Sequence, residues 1–387
     1  MRFHSYYRCT SLASVLVLLW ALVLLPHSAA QGLSPMDVAE IETVTSTSIS
    51  SDGAHVAYTL SVQADPREDN VPASTHLFVM NTETGEVTTS YTETGVASVG
   101  FRPEHGTVTF LTSREDDEGR ALYELAVDGE EPARLLDHTT SIAAYEWAPD
   151  GERLVFSANE ELDIPEARLP YQPDLFEENQ PQRRAFIADL SADTPEPHRI
   201  NVDGTVHLMR WSPDGTQLAI TETPTPGVDD SFMAQSVQVV DADSRDVVAD
   251  IANAGKISQI KWSPDGQHLA LRAGNNIHDP IDGRIMRVAV EDGAVPENIY
   301  PEFEGSSSRF CGRTTTRSIS SPAKAPRVRL ERSGPMAPIS IASFTKTPLS
   351  LPVSPHRMPG IYSSLPLRPS TPRRSISCVT ALIAPSG

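Results

Sequence analysis

Between Thr10 and Phe310 the chain has no cysteine; its three cysteines are Cys9, Cys311 and Cys378. That absence removes disulfides, thiolate metal sites and cysteine nucleophiles from the whole middle of the molecule. Also missing are a His-Glu-x-x-His zinc motif, a phosphate loop ending in Gly-Lys-Ser/Thr and a dinucleotide glycine pattern after a strand. No Gly-x-Ser-x-Gly turn presents a serine nucleophile: Gly95-Val96-Ala97-Ser98-Val99-Gly100 comes nearest, with one residue too many before its serine. Basic charge is scarce too, since residues 31–305 hold 17 Lys and Arg against 50 Asp and Glu. Such a surface repels nucleic acid and anionic membranes, which are bound through cationic side chains. No catalytic residue, cofactor or metal is therefore assigned, and no nucleic-acid partner is expected.

The charge is not spread evenly along the 387 residues. Residues 1–30 contain Arg2 and Arg8, an apolar run from Leu12 to Leu25, and Ser28-Ala29-Ala30, the order of a cleavable export signal. The mature chain is expected to begin at Gln31 and to be periplasmic or extracellular. A membrane anchor is the competing reading, but the apolar run is shorter than the roughly 20 residues a spanning helix needs, so no stable insertion is expected. Residues 306–387 reverse the balance, with 12 Lys and Arg against the single acid Glu331, and with 17 Ser and 12 Pro.

What fills the acidic zone is a repeat. Trp147-Ala148-Pro149-Asp150-Gly151, Trp211-Ser212-Pro213-Asp214-Gly215 and Trp262-Ser263-Pro264-Asp265-Gly266 share one pattern. Weaker copies are Ile49-Ser50-Ser51-Asp52-Gly53 and Phe101-Arg102-Pro103-Glu104-His105-Gly106, the latter with one residue inserted. They start at 49, 101, 147, 211 and 262, a period near that of propeller blades. Pro presets φ, Asp bonds its own backbone and Gly accepts positive φ, so each copy predicts a tight turn between two strands. Further strands are expected at 236–240 and 247–251, around a hairpin at Asp241-Ala242-Asp243-Ser244. Four short strands per unit predict an all-β chain, a β-propeller of about five recognisable blades over 31–305. Each tryptophan is expected to wedge between adjacent sheets, with its indole N–H bonded at the edge; an aromatic ligand cage is the alternative.

Ser-Pro-Asp-Gly repeats of this kind resemble those of the TolB-like and prolyl oligopeptidase propellers. Leu33-Ser34-Pro35-Met36-Asp37-Val38 with 49–60, and Phe110-Leu111-Thr112-Ser113-Arg114 with Leu122–Leu125, are similar to the opening blades of the second family, which includes dipeptidyl and acylaminoacyl peptidases. The resemblance implies a propeller that covers a serine-peptidase active site and admits short peptides, with the catalytic triad on a separate α/β-hydrolase domain. On that reading the chain is a truncated, inactive gating portion whose partners are peptides or the missing catalytic domain. The alternative is a non-catalytic exported TolB-like propeller that binds protein or peptide. The resemblance also invites comparison of Glu160-Glu161 with glutamates that bind a substrate's amino terminus, although the surrounding residues do not match.

Other candidates have plain alternatives. Asp241, Asp243 and Asp246 read as a polar hairpin or as calcium ligands lacking the usual glycine and distal Glu, and Glu115–Glu118 reads as a solvated hairpin tip. The long step between Trp147 and Trp211 is assigned to a proline-rich loop insertion at 164–184. From 306 onward proline interrupts every candidate element, so the tail is expected to be disordered in isolation. A natural basic linker that contacts a partner or the acidic body would explain it. So would a shifted reading frame near Gly305, which accounts for the simultaneous loss of acidity and repeat. Five blades drawn from a larger ring would leave sheet edges exposed and prone to association.

Overall fold

The computed structural model describes residues 33–307 except 66, 68–70, 163–176, 193, 280–282 and 303–305. The signal sequence, the three cysteines, most of the insertion and the tail from 308 lie outside the described residues. The chain divides into two compact units, Met1–Glu42 with Gln63–Pro72, and Thr43–Val62 with Ala73–Gly387. In the first, helix α1 (Pro35–Ala39) starts on a reciprocal cap. Ser34 Oγ accepts from the Asp37 N–H at 3.1 Å, and Asp37 accepts from the Ser34 N–H at 2.7 Å. Pro35 sits at the first helical position, where its missing N–H costs nothing.

The described residues of the second unit form five four-stranded antiparallel sheets, each with its strands in sequence order. Sheet one holds β1 (Thr43–Ile49), β2 (His55–Val62), β3 (Ser74–Asn81) and β4 (Val87–Tyr91). Sheet two holds β5 (Ala97–Phe101), β6 (Val108–Thr112), β7 (Ala121–Leu125) and β8 (Ala133–Leu136). Sheet three holds β9 (Ile142–Trp147), β10 (Arg153–Asn159), β11 (Arg183–Asp189) and β12 (His198–Arg199). Sheet four holds β13 (Thr205–Trp211), β14 (Gln217–Thr223), β15 (Ser236–Asp241) and β16 (Val247–Ile251). Sheet five holds β17 (Ile257–Trp262), β18 (His268–Ala273), β19 (Arg284–Ala289) and β20 (Glu297–Asn298). This is the propeller-like, nearly all-β architecture that the repeat implied. One boundary moves: Arg183 and Arg184, placed at the end of the insertion from sequence, begin β11, where they pair with Asn159 and Ala158.

The sheets follow one another because their strands are apolar on both faces. In β14, Leu218 and Ile220 pack toward sheet three, whereas the intervening Ala219 packs toward sheet five. Four apolar clusters result, joining sheets one and two, two and three, three and four, and four and five. Each fully buried Leu or Ile in them contributes about 1.5–3 kcal/mol, so these seams hold the array together. Among the described residues no such cluster joins sheet five to sheet one. Every first strand pair also carries a register irregularity, as at Val206/Leu208 and Ile257/Gln259, which strengthens the twist that stacked blades require.

Sheet five differs on its outward face. Val239 pairs with Ala219 and Ala249 in sheet four, and all three are buried; at the corresponding place Arg287 pairs with Ala270 and Glu297. Arg287 keeps 48% side-chain exposure and lies 3.7 Å from the Glu297 carboxylate. The outward face of the last described sheet is thus charged where an inter-sheet face is aliphatic.

The connections are unequal at the two ends. The first turn of each sheet takes five or six residues, at 50–54, 102–107, 148–152, 212–216 and 263–267. At the other end the second connection is longer in sheets two to five: 113–120, 160–182, 224–235 and 274–283. The 224–235 connection contains helix α2 (Val228–Met233).

Candidate functional site

At the short-turn end the repeat residues build one network three times. Ser212 Oγ donates to Asp214 at 2.6 Å and accepts the Gln217 N–H at 2.9 Å, while Asp214 accepts the Thr216 N–H at 3.1 Å. Ser263 with Asp265 and Ser50 with Asp52 repeat it, at 2.5 and 2.6 Å. In all three aspartates the serine hydroxyl, followed by backbone N–H groups, holds the carboxyl below its ordinary range. The glycines close the turns at φ +75, +70 and +69 for Gly53, Gly215 and Gly266. Pro213 and Pro264 each stand between the serine and aspartate of their turn.

Sheets two and three depart from this in an informative way. Ala148 stands where the serine would be, and Arg153 bonds the Asp150 carboxylate instead, through its N–H at 3.0 Å and Nε at 2.9 Å. Arg153 then reaches forward: Nη2 donates to the Gly215 carbonyl at 2.9 Å and the guanidinium lies 5.2 Å from the Trp211 ring centre. Arg102 does the same one sheet earlier, donating from Nε to the Gly151 carbonyl at 2.7 Å and lying 4.6 Å from the Trp147 ring centre. Each arginine thus clasps the turn and tryptophan of the following sheet. Pro149 lies within the turn so held.

The tryptophans complete the seams. Trp211 Nε1 donates to the Glu146 carbonyl at 3.1 Å and Trp262 Nε1 to the Arg210 carbonyl at 2.9 Å, in each case one sheet back. Trp147 Nε1 finds Thr109 Oγ1 at 2.9 Å. Their indole donors are thus engaged between sheets.

On the first strands Glu146, Arg210 and Lys261 occupy the position before each tryptophan. Glu146 accepts from Arg210 Nη1 at 2.6 Å and from the Trp211 N–H at 3.3 Å. Burial pushes the Glu146 carboxyl up, and Arg210 opposes it. The Lys261 charge acts in the same direction as Arg210.

The long-connector end gathers most of the remaining polar chemistry. Glu160 accepts from Arg184 Nε at 2.6 Å and lies 3.5 Å from Arg199, so its charge is already neutralised. Arg184 also donates to the carbonyls of Asp203 and Gly204. His207 Nε2 is 2.9 Å from Thr223 Oγ1, and burial followed by the Arg183 charge lowers the imidazole pKa. Glu161 is exposed. The structure therefore separates the two glutamates that the sequence placed together, giving one to an ion pair. At the short-turn end, Asp241 caps its hairpin by accepting the Asp243 and Ser244 N–H groups, and Asp246 accepts from Asn201. Among the described residues no group of three or more His, Cys, Asp or Glu could hold a metal, and no helix is long and apolar enough to cross a membrane.

No protein-family model matches the chain. A stretch of 124 residues is 25% identical to the uncharacterized peptidase YuxL of Bacillus subtilis (strain 168), covering 32% of this chain and 18% of that protein. The chain resembles the propeller portion of a prolyl oligopeptidase-family peptidase. Among solved structures, the acylaminoacyl peptidase of Pyrococcus horikoshii matches over 70% of this chain and 42% of its own length, at a TM-score of 0.47 and 10% identity. TolB from Acinetobacter baumannii matches over 66% of this chain and 55% of its own, at a TM-score of 0.39 and 17% identity. The chain therefore spans less than half the length of either peptidase it matches.

In this propeller-like unit Arg102 and Arg153 carry the interlocking and were not singled out from sequence. The available signal was small: an arginine as the second residue of the Phe101 copy, and one two residues past Gly151. Nothing in a linear pattern says that either reaches the next sheet.

Proposed function

We propose that the chain is the substrate-gating propeller of an exported serine peptidase of the prolyl oligopeptidase type. The sequence match to a peptidase is the observation that carries this reading, and the five four-stranded sheets are in keeping with it. The proposed partners are short peptides and an α/β-hydrolase domain that supplies the nucleophile, base and oxyanion donors. Interlocked short turns at one end make a rigid wall, while long connectors at the other offer variable surface for contact with substrate or catalytic domain. The chain's own residues would bind and sort, without chemistry of their own. Export follows from the leader at 1–30.

A chimera tests the gate. Replacing the matched segment of the Bacillus peptidase with the corresponding part of this propeller should preserve turnover of a short peptide anilide and suppress cleavage of casein. Casein cleavage as fast as that of the isolated catalytic portion would overturn the reading. For export, N-terminal sequencing of protein recovered outside the cytoplasm should begin at Gln31.

A further inference from the structure

Ser307 is buried, and both its backbone N–H (3.0 Å) and its hydroxyl (2.9 Å) donate to the Gly283 carbonyl. A side chain at Gly283 would collide with Ser306, so glycine is what admits this segment. Gly283 directly precedes β19, which puts Ser307 at the long-connector end of sheet five. On that end α2 turns Val228, Phe232 and Met233 outward at 59%, 50% and 53% exposure, and Ile277 is 48% exposed. The Lys256 ammonium lies 5.1 Å from the Phe232 ring centre, and its carbonyl accepts the Gly274 N–H at 2.9 Å. These contacts tie α2 to the connector that bears Ile277. Asp229 and Asp230 flank the apolar residues within the helix.

We propose that residues 308–387, the basic tail, dock back on this patch of their own chain. Charge complementarity argues for it: the tail carries 12 Lys and Arg and one acid, whereas residues 31–305 carry a large acidic excess. The tail also has apolar segments of matching character, Ile339–Phe344 and Leu349–Val353. Position supplies the third argument. Because Ser307 is pinned at the same end, docking is intramolecular, and a short tether raises the effective concentration to about millimolar. The inference is independent of the peptidase reading, and it requires only the chain as its sequence stands.

Photocross-linking in the full chain tests it, with Phe232→p-benzoylphenylalanine as the probe. Cross-links should map to residues 308–387 of the same molecule. Links between two molecules would make the patch a contact between copies and overturn the proposal, as would the absence of links to the tail. Trypsin provides a second readout that needs no probe. Tail cleavage in the intact protein should be slowed, and should accelerate about threefold or more in roughly 0.5 M salt, where exposed charges are screened. The double variant Phe232→Gln, Met233→Gln, which removes the apolar contact without adding charge, should give the same acceleration at low salt with a melting temperature within about 2 °C of the parent. Equal tail cleavage in variant and parent would sink the idea.

Discussion

Loss of the Arg102 side chain should destabilise the array at the seam between sheets two and three. Arg102 is 9% exposed, donates to Gly151 in the next sheet, stacks over Trp147 and lies 3.4 Å from Glu124. A hydrogen bond from a charged group contributes about 1.5–3 kcal/mol, and a desolvated cation–π contact about 2 kcal/mol. Both act through one side chain and overlap, so Arg102→Ala is expected to destabilise by about 3–4 kcal/mol. At roughly 2–4 °C per kcal/mol for a unit of this size, the melting temperature falls by about 6–16 °C. Arg102→Lys should recover little, because an ammonium cannot reproduce the flat guanidinium that bonds the carbonyl while covering the ring. Arg153→Ala is the comparison: its side chain is 29% exposed, so its clasp is partly screened and should contribute about 1–2 kcal/mol. The assay is thermal and urea unfolding followed by tryptophan fluorescence, with a double-mutant cycle between Arg102 and Trp147. A melting temperature for Arg102→Ala within about 2 °C of the parent, or full rescue by lysine, would refute the clasp as a stabilising element.

Gly151 and Gly266 have nearly the same backbone, φ +71 and +69, but a Cβ on Gly151 collides with the Pro103 carbonyl whereas one on Gly266 meets nothing within 4 Å. Alanine at 266 should therefore cost only the left-handed strain of about 1–2 kcal/mol, and alanine at 151 measurably more, as read from urea midpoints. The pKa values of Asp52, Asp214 and Asp265 are depressed in the fold, so their contribution is complete above the unfolded carboxyl value near ~4 and is lost as pH falls through the folded values. Stability measured from neutral pH down to acid should decline more steeply in the parent than in the triple Asp→Asn variant; parallel curves would contradict the assignment. Replacing Arg287 with Val and Glu297 with Ala gives sheet five the outward character of Val239 and Ala249 in sheet four. Sedimentation should then show concentration-dependent association that the parent lacks, and a monomeric variant would show that this face is not what limits assembly.

The legible parts were those that one short stretch encodes. The turns declared themselves because Pro, Asp and Gly are demanded by local dihedral angles at fixed offsets, and Gly53, Gly215 and Gly266 adopt the positive φ that this requires. Five copies, starting at 49, 101, 147, 211 and 262, then specified five sheets. What stayed hidden joins distant residues. Arg102 and Gly151 are 49 positions apart, Arg153 and Gly215 62 apart, and no periodicity relates an arginine in one turn to a carbonyl in the next. Glu160 shows the converse: adjacency to Glu161 suggested a pair with one role, but β11 brings Arg184 beside Glu160 alone.

By itself, then, the sequence determined the repeating unit and its spacing, since turn chemistry and the short strands flanking each turn are properties of consecutive residues. Tertiary structure alone decided how the sheets are fastened and what they show outward. Clasping arginines, shared carbonyls and the charged face at Arg287 exist only when side chains from different sheets meet, and their energies depend on the burial and distances that stacking creates.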